Sequence, residues 1–305
     1  MHTRKPLFAF GGGKGGVGKS FLSSNVGIYL ARRGLRVAVI DADLGGANLH
    51  TFMGMELPRT TLADFIAHKA QNIGDILVRT PVENLWLGAG VVKDLAAPNF
   101  KHSQKQRMIR SFRHLDFDAV LLDLGAGTSY NVLDFFAAAD CGILVTLPEP
   151  TAVENCYRFL KSSFFRHLRN EEKDGRVKGM LDFAMTGEEP MRGPLEFIGQ
   201  VAAIDRAKAR QFADELEYFR VALIVNQVRS AEDRAIAPAI SGALKRFYGF
   251  NVRPLGDIAY DDSIWLSVRQ RQPIMAGRVE TIAARDTAAV GKAIYGMVHE
   301  FRAMR

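Results

Sequence analysis

Cysteine is nearly absent: Cys141 and Cys156 are the only two in a chain of 305 residues. Two cysteines without CxxC spacing exclude a disulfide framework and a cysteine-built metal or iron–sulfur site within one chain, and both read as small buried hydrophobes. No uncharged apolar run approaches the ~18 residues that a membrane span needs. No signal-peptide core precedes the first strand pattern. No internal repeat, low-complexity linker or single-sign tail breaks the chain. The expectation is therefore one cytoplasmic domain over residues 1–305, large enough to hold its core without staples. The composition, 48% hydrophobic and 24% charged, is that of an ordinary globular protein. The formal charge of +7 suits a polyanion, an acidic membrane surface or an anionic nucleotide, and it is spread along the chain.

What is present is an alternation of short apolar runs and helical patterns. Strands are predicted at Leu7–Gly11, Arg36–Asp41, Asn84–Gly90, Asp118–Gly127, Gly142–Pro150, Val221–Val228 and Asn251–Ile258. Helices are predicted at Lys19–Arg33, Thr61–Lys69 and Ser103–Leu115. Apolar positions such as Leu22, Val26, Tyr29 and Leu30 recur at helical spacing, and Gly34 follows as a stop. Continuous apolar strands separated by helices predict an α/β fold, a mostly parallel twisted sheet with helices on both faces. The acidic and glycine-rich stretch Asn170–Pro194 reads as a surface loop.

The first strand runs into "GGGKGGVGKS", Gly11–Ser20. Gly13, Gly18, Lys19 and Ser20 satisfy G-x-x-x-x-G-K-[ST], between a predicted strand and a predicted helix, as a phosphate-binding loop requires. Glycines let successive backbone N–H groups turn toward phosphate oxygens, and the helix N-terminus adds positive potential. Lys19 is placed to reach the β- and γ-phosphates, and the Ser20 hydroxyl to ligate Mg²⁺. Lys14 lies outside this minimal requirement: it is either solvated or reaches a phosphate from the side, in this or a neighbouring subunit.

Four further residues lie at or near the ends of three strands, where an open α/β sheet presents its ligand crevice. Asp41 and Asp43 follow the second strand in "VIDADLGGANLHTFMG", Asp123 ends "AVLLD", and Asn226 sits late in "LIVNQV". Each is also a residue type that caps helices or builds turns.

"KGGVGKS" resembles the deviant Walker A motif of the MinD/ParA family of P-loop ATPases, and the segment Asp123–Lys161 is similar to the FlhG/FleN/YlxH branch, which shares its glycine turn and "PEPT" (Pro148–Thr151). The resemblance implies an ATP-dependent homodimer in which Lys14 crosses to the partner's ATP, so that Lys14, Lys19 and Asp43 serve catalysis. It implies a phosphate cradle of Gly13, Lys14, Gly15, Gly16, Val17, Gly18, Lys19 and Ser20. Gly125 would sense the γ-phosphate and Asn226 would bind adenine, with Pro254–Asp261 beside the base. Mg²⁺ would be held near Ser20, Asp41 and Asp123. The implied output is a switch acting through a partner protein, such as the machinery that places or counts flagella.

Other readings carry their own features. The tail Ala288–Arg305 sets Val290, Ile294, Met297, Val298, Phe301 and Met304 on one side, which suits either core packing or a membrane surface. Arg107, Arg110, Arg113, Arg158, Lys161, Arg166 and Arg169 suit a ParA-type ATPase that binds DNA, although solvated helix faces account for them more simply. A third reading, phosphoryl transfer to a small substrate, has no second-substrate motif to support it.

Overall fold

A computed structural model describes residues 5–43, 45–90, 102–186, 191–277 and 280–304. Its strands are β1 (Leu7–Gly11), β2 (Val37–Ala42), β3 (Leu77–Arg79), β4 (Leu85–Gly88), β5 (Ala119–Leu124), β6 (Cys141–Thr146), β7 (Val221–Val228) and β8 (Val252–Ala259). They form one eight-stranded sheet in the order β3-β4-β2-β5-β1-β6-β7-β8. Every pairing is parallel except that of β3 with β4. The strand order reverses at β1, which lies between β5 and β6. Ligands of such sheets bind at this reversal, outside the carboxyl ends of the strands.

The central strands are apolar throughout because helices cover both faces. On one face Ala9, Val120 and Leu122 meet Phe112, Phe135, Phe159 and Phe164. On the other, Phe8, Phe10 and Leu121 meet Leu22, Val26 and Leu30 of the helix Lys19–Arg32. The C-terminal helix Ile282–Ala303 lies on this second face, with Val290, Ile294, Met297 and Val298 buried. Its Gly291 permits a close crossing, since a Cβ there would stand 2.6 Å from the Tyr29 ring. Each such buried side chain is worth about 1.5–3 kcal/mol. Four of the tail's six apolar positions are thus in the core, while Phe301 is half-buried and Met304 is exposed. Among the described residues no helix is long and apolar enough to cross a membrane.

One strand was not predicted, and one sequence expectation changes. The three-residue strand β3 is too short to leave an alternating pattern. The stretch Asn170–Pro194 is not a loop in its described part. The helix Pro150–Glu171 runs through Asn170, a helix Gly175–Thr186 follows, and another spans Pro194–Ala202. Val177, Leu181 and Ala184 keep a buried stripe at helical spacing, which the glycines and acidic residues around them obscure. Residues 187–190 of that stretch lie outside the described residues. Cys141 and Cys156 are buried, and burial pushes their thiols up to about 12 and about 11, so neither offers a reactive thiolate.

Candidate nucleotide site

The chain leaves β1 at Gly11, turns through residues 12–18 and enters a helix at Lys19. The turn closes on itself at two glycines. Gly18 caps the helix at φ 96°, in the left-handed region that side chains rarely adopt, and a Cβ there would collide with Asn226 Nδ2. A Cβ on Gly13 would stand 2.5 Å from the Asn155 carbonyl oxygen. Asn226 also braces the loop: its Nδ2 donates to the Val17 carbonyl at 2.8 Å, and its Oδ1 accepts from Gln227 N–H at 2.9 Å.

Lys19 is buried at the helix start. Burial pulls its ammonium below the ordinary lysine range, against the opposing pull of Asp123 and then Asp43. Asp41 and Asp123 are register partners across β2 and β5, both almost fully buried. Burial raises both carboxyls, and their proximity adds to the rise of Asp41; the Ser20 hydroxyl and Lys19 oppose the rise of Asp123. Their surroundings then differ. Asp41 Oδ1 accepts the Asp43 amide at 3.1 Å and Oδ2 accepts the Leu49 amide at 2.9 Å. Its carboxylate is therefore committed to shaping the turn after β2. Asp123 Oδ1 is buried and accepts nothing. An unpartnered carboxylate oxygen beside a loop hydroxyl fits a hard divalent cation completed by water and phosphate oxygens. The residues present fit Mg²⁺ at Ser20 and Asp123. Asp41, the register partner of Asp123, stands beside them with one amide on each carboxylate oxygen. No cluster of three or more His, Cys, Asp or Glu groups forms a metal cage among the described residues.

Asp43 faces the second glycine turn. Its Oδ1 accepts from Gly45 N–H at 3.2 Å and Gly46 N–H at 3.1 Å. A Cβ on Gly125 would stand 2.9 Å from the same oxygen. The segments after β2 and β5 therefore touch at Asp43 and Gly125; Leu44, between Asp43 and Gly45, lies outside the described residues. Lys14 turns the other way: its Nζ donates to Glu149 Oε2 at 2.7 Å, an ion pair exposed to solvent.

Beside the loop lies an open pocket of about 220 Å³ lined by Gly18, Phe21, Asn226, Gln227, Tyr260 and Trp265 among others. Tyr260 and Asp261 follow β8, and the rest of the segment expected beside the base, Pro254–Ala259, belongs to that strand. Trp265 is 61% exposed, unusual for so large an apolar ring. Sequence reading missed Gln227, Trp265 and the partner of Lys14, because none of these belongs to a spaced motif. It also assigned Asn226 to adenine only. Both of its polar ends are engaged within the protein here.

The basic residues behind the DNA reading are largely occupied. Arg107 donates to the Phe65 carbonyl, Arg113 to that of Ala138, and Lys161 to that of Met191. Arg158 pairs with Glu154, Arg166 with Asp134 and Arg169 with Asp182. The Arg110 side chain alone among these seven is exposed and without such a partner among the described residues.

A family model described as the CobQ/CobB/MinD/ParA nucleotide binding domain matches residues 8–274. The antiactivator FleN of Pseudomonas aeruginosa is 34% identical over 164 residues, 51% of this chain and 55% of that protein. The flagellum site-determining protein YlxH of Helicobacter pylori is 29% identical over 161 residues, 51% and 52% of the two chains. The chain thus spans about half the length of these relatives. The fold matches the septum site-determining protein MinD from Pyrococcus horikoshii, solved with Mg-ADP, at a TM-score of 0.66 and 18% identity over 99% of this chain and 100% of that one.

Proposed function

The chain belongs to the CobQ/CobB/MinD/ParA nucleotide-binding family, and from that premise we propose that it is an ATP-dependent dimerising switch with a slow ATPase activity. The observation that carries this reading is the division of labour between the two loop lysines. Lys19 is buried beside Asp123 and suffices for phosphate binding. Lys14 is surplus to that site and is held at the surface by a solvent-exposed carboxylate. An exposed pair of this kind is worth only about 0–1 kcal/mol. Lys14 is therefore free to exchange Glu149 for the phosphates of a second protomer's nucleotide.

The chain's own groups divide the work. Backbone N–H groups from Gly13 to Ser20 and the helix N-terminus cradle the phosphates. Lys19 neutralises charge on the β- and γ-oxygens. Asn226 holds the loop closed against the base pocket. Asp43, beside Gly125, positions the attacking water. Lys14 completes the partner's site. Mg²⁺ held by Ser20 and Asp123 supplies neutralisation of the phosphate charge.

The output is binding of a partner protein by one nucleotide state. The relatives named for antiactivation and for siting flagella favour placement or number control of a cellular assembly, with the protein in the cytoplasm or at the inner face of the membrane. The C-terminal helix is a poor membrane anchor because most of its apolar side is buried, and the DNA alternative loses most of its motivating cations to internal partners. The test is sedimentation of an Asp43→Ala variant with saturating Mg-ATP. A dimer that reverts to monomer in ADP is expected. A protein that binds ATP and stays monomeric sinks this function.

A further inference from the structure

Asp134 lies on the helix Tyr130–Ala138, which follows the Gly125 turn, and its buried carboxylate takes four donors. Arg166 Nε reaches Oδ1 at 2.7 Å and its Nη2 reaches Oδ2 at 3.1 Å. Asn170 Nδ2 reaches Oδ1 at 2.9 Å, and the buried Lys105 ammonium closes on Oδ2. A carboxylate offers about four acceptor positions, so this one is saturated. Burial alone would push the carboxyl up. The bonds from Arg166, Lys105 and Asn170 outweigh it and hold the group below the ordinary carboxylate value.

These donors come from two helices. Lys105 belongs to the helix His102–Arg113, while Arg166 and Asn170 belong to Pro150–Glu171. The second of these helices also touches the phosphate loop. Glu149, just before it, holds Lys14. Its Asn155 carbonyl crowds Gly13. Its Phe159 packs edge-on against Phe136 of the Asp134 helix, with ring centroids 4.8 Å apart. The Arg166 guanidinium also covers the Tyr130 ring, 4.4 Å from its centroid. One 22-residue helix therefore meets the loop at its first turns and Asp134 three turns further on. Packing alone would need only apolar groups here. Ions buried with saturated hydrogen bonds fix orientation in addition.

We propose that Asp134 is a positioning residue of the nucleotide site: through Arg166 and Asn170 it locks the helix Tyr130–Ala138 to the helix Pro150–Glu171, so that the Gly125 turn and the Lys14–Glu149 pair respond to nucleotide as one unit. This rests on the switch function above. The test is a protein carrying Arg166→Met and Asn170→Ala, which cuts the link while leaving Lys105 and Asp134 paired, so that no buried charge is orphaned. Hydrogen exchange over residues 125–138 and 149–159 is followed with and without Mg-ATP, alongside steady-state ATPase kinetics. In the unmodified protein both segments gain protection. In the variant KM stays within about twofold and kcat falls roughly tenfold, inside the usual range of coupling between sites. Protection of 149–159 is lost while that of 125–138 persists, and Arg166→Lys alone recovers part of the rate. A variant that protects both segments and keeps its kcat overturns the inference alone. Unmodified protein that binds Mg-ATP and protects neither segment overturns the switch and this inference together. If the double variant does not fold, Asn170→Ala alone is read in the same way.

Discussion

Lys14 Nζ stands 2.7 Å from Glu149 Oε2, so the first loop lysine is tied to the segment after β6 while Lys19 is buried close to Asp123. Lys14→Ala should keep ATP affinity near that of the unmodified protein, since nothing in the buried site depends on it. It should lose ATP-driven dimerisation and hydrolysis. Glu149→Gln should do the opposite. Removing an exposed pair worth at most about 1 kcal/mol leaves thermal stability almost unchanged and lowers the ATP needed for half-maximal dimerisation by up to about fivefold. Equilibrium nucleotide binding and sedimentation of the two variants check this. A monomeric Lys14→Ala protein with full ATPase activity would return the lysine to a solvated surface role.

The contact between Asp43 and Gly125 makes a prediction that separates activity from stability. A methyl group at 125 would meet Asp43 Oδ1 at 2.9 Å. That oxygen is the far end of a short side chain held by the Gly45 and Gly46 amides. The carboxylate can swing aside, so Gly125→Ala should change the melting temperature little. The displaced carboxylate no longer positions water. A drop in kcat of at least about tenfold is expected, a cost of about 1.4 kcal/mol in the transition state, with KM for ATP nearly constant. Parallel melting and kinetic measurements decide it, and unchanged kcat would remove Asp43 from its assigned role.

The sheet and the phosphate loop were legible because their signals are local. A buried parallel strand is a continuous apolar run, and a phosphate loop is a spacing of glycines before Lys19 and Ser20. Asp123 was visible because it closes such a run, and Asp43 and Asn226 through the family resemblance of the segments that carry them. What was hidden depends on contacts between distant segments. Glu149 stands 135 residues from Lys14, and Gln227 and Trp265 line one pocket only when β8 packs beside β7. The amides of Asp43 and Leu49 that fold back onto Asp41 were equally hidden, since the family resemblance spoke only of a place near Mg²⁺. The helix Gly175–Thr186 was obscured for a compositional reason, since glycines and acids diluted its buried stripe.

Gly18 and Asn226 form a pair whose energies should be strongly non-additive. Gly18→Ala suffers twice: a left-handed φ of 96° and a collision of the new Cβ with Asn226 Nδ2. The conformation alone costs about 1–2 kcal/mol, and the collision pushes the brace off the Val17 carbonyl. Asn226→Ala leaves that buried carbonyl without its donor, at about 1–3 kcal/mol, and should weaken ATP binding by loosening the loop and emptying one wall of the base pocket. In the double variant the collision is gone and the brace is already lost, so only the conformational strain of residue 18 is added. The double variant should therefore be more stable than the sum of the two single losses implies, by an interaction energy of about 1 kcal/mol or more. Urea denaturation of the four proteins, with ATP affinity measured in parallel, gives the cycle. Additive stabilities would mean that Asn226 moves freely and does not brace the loop.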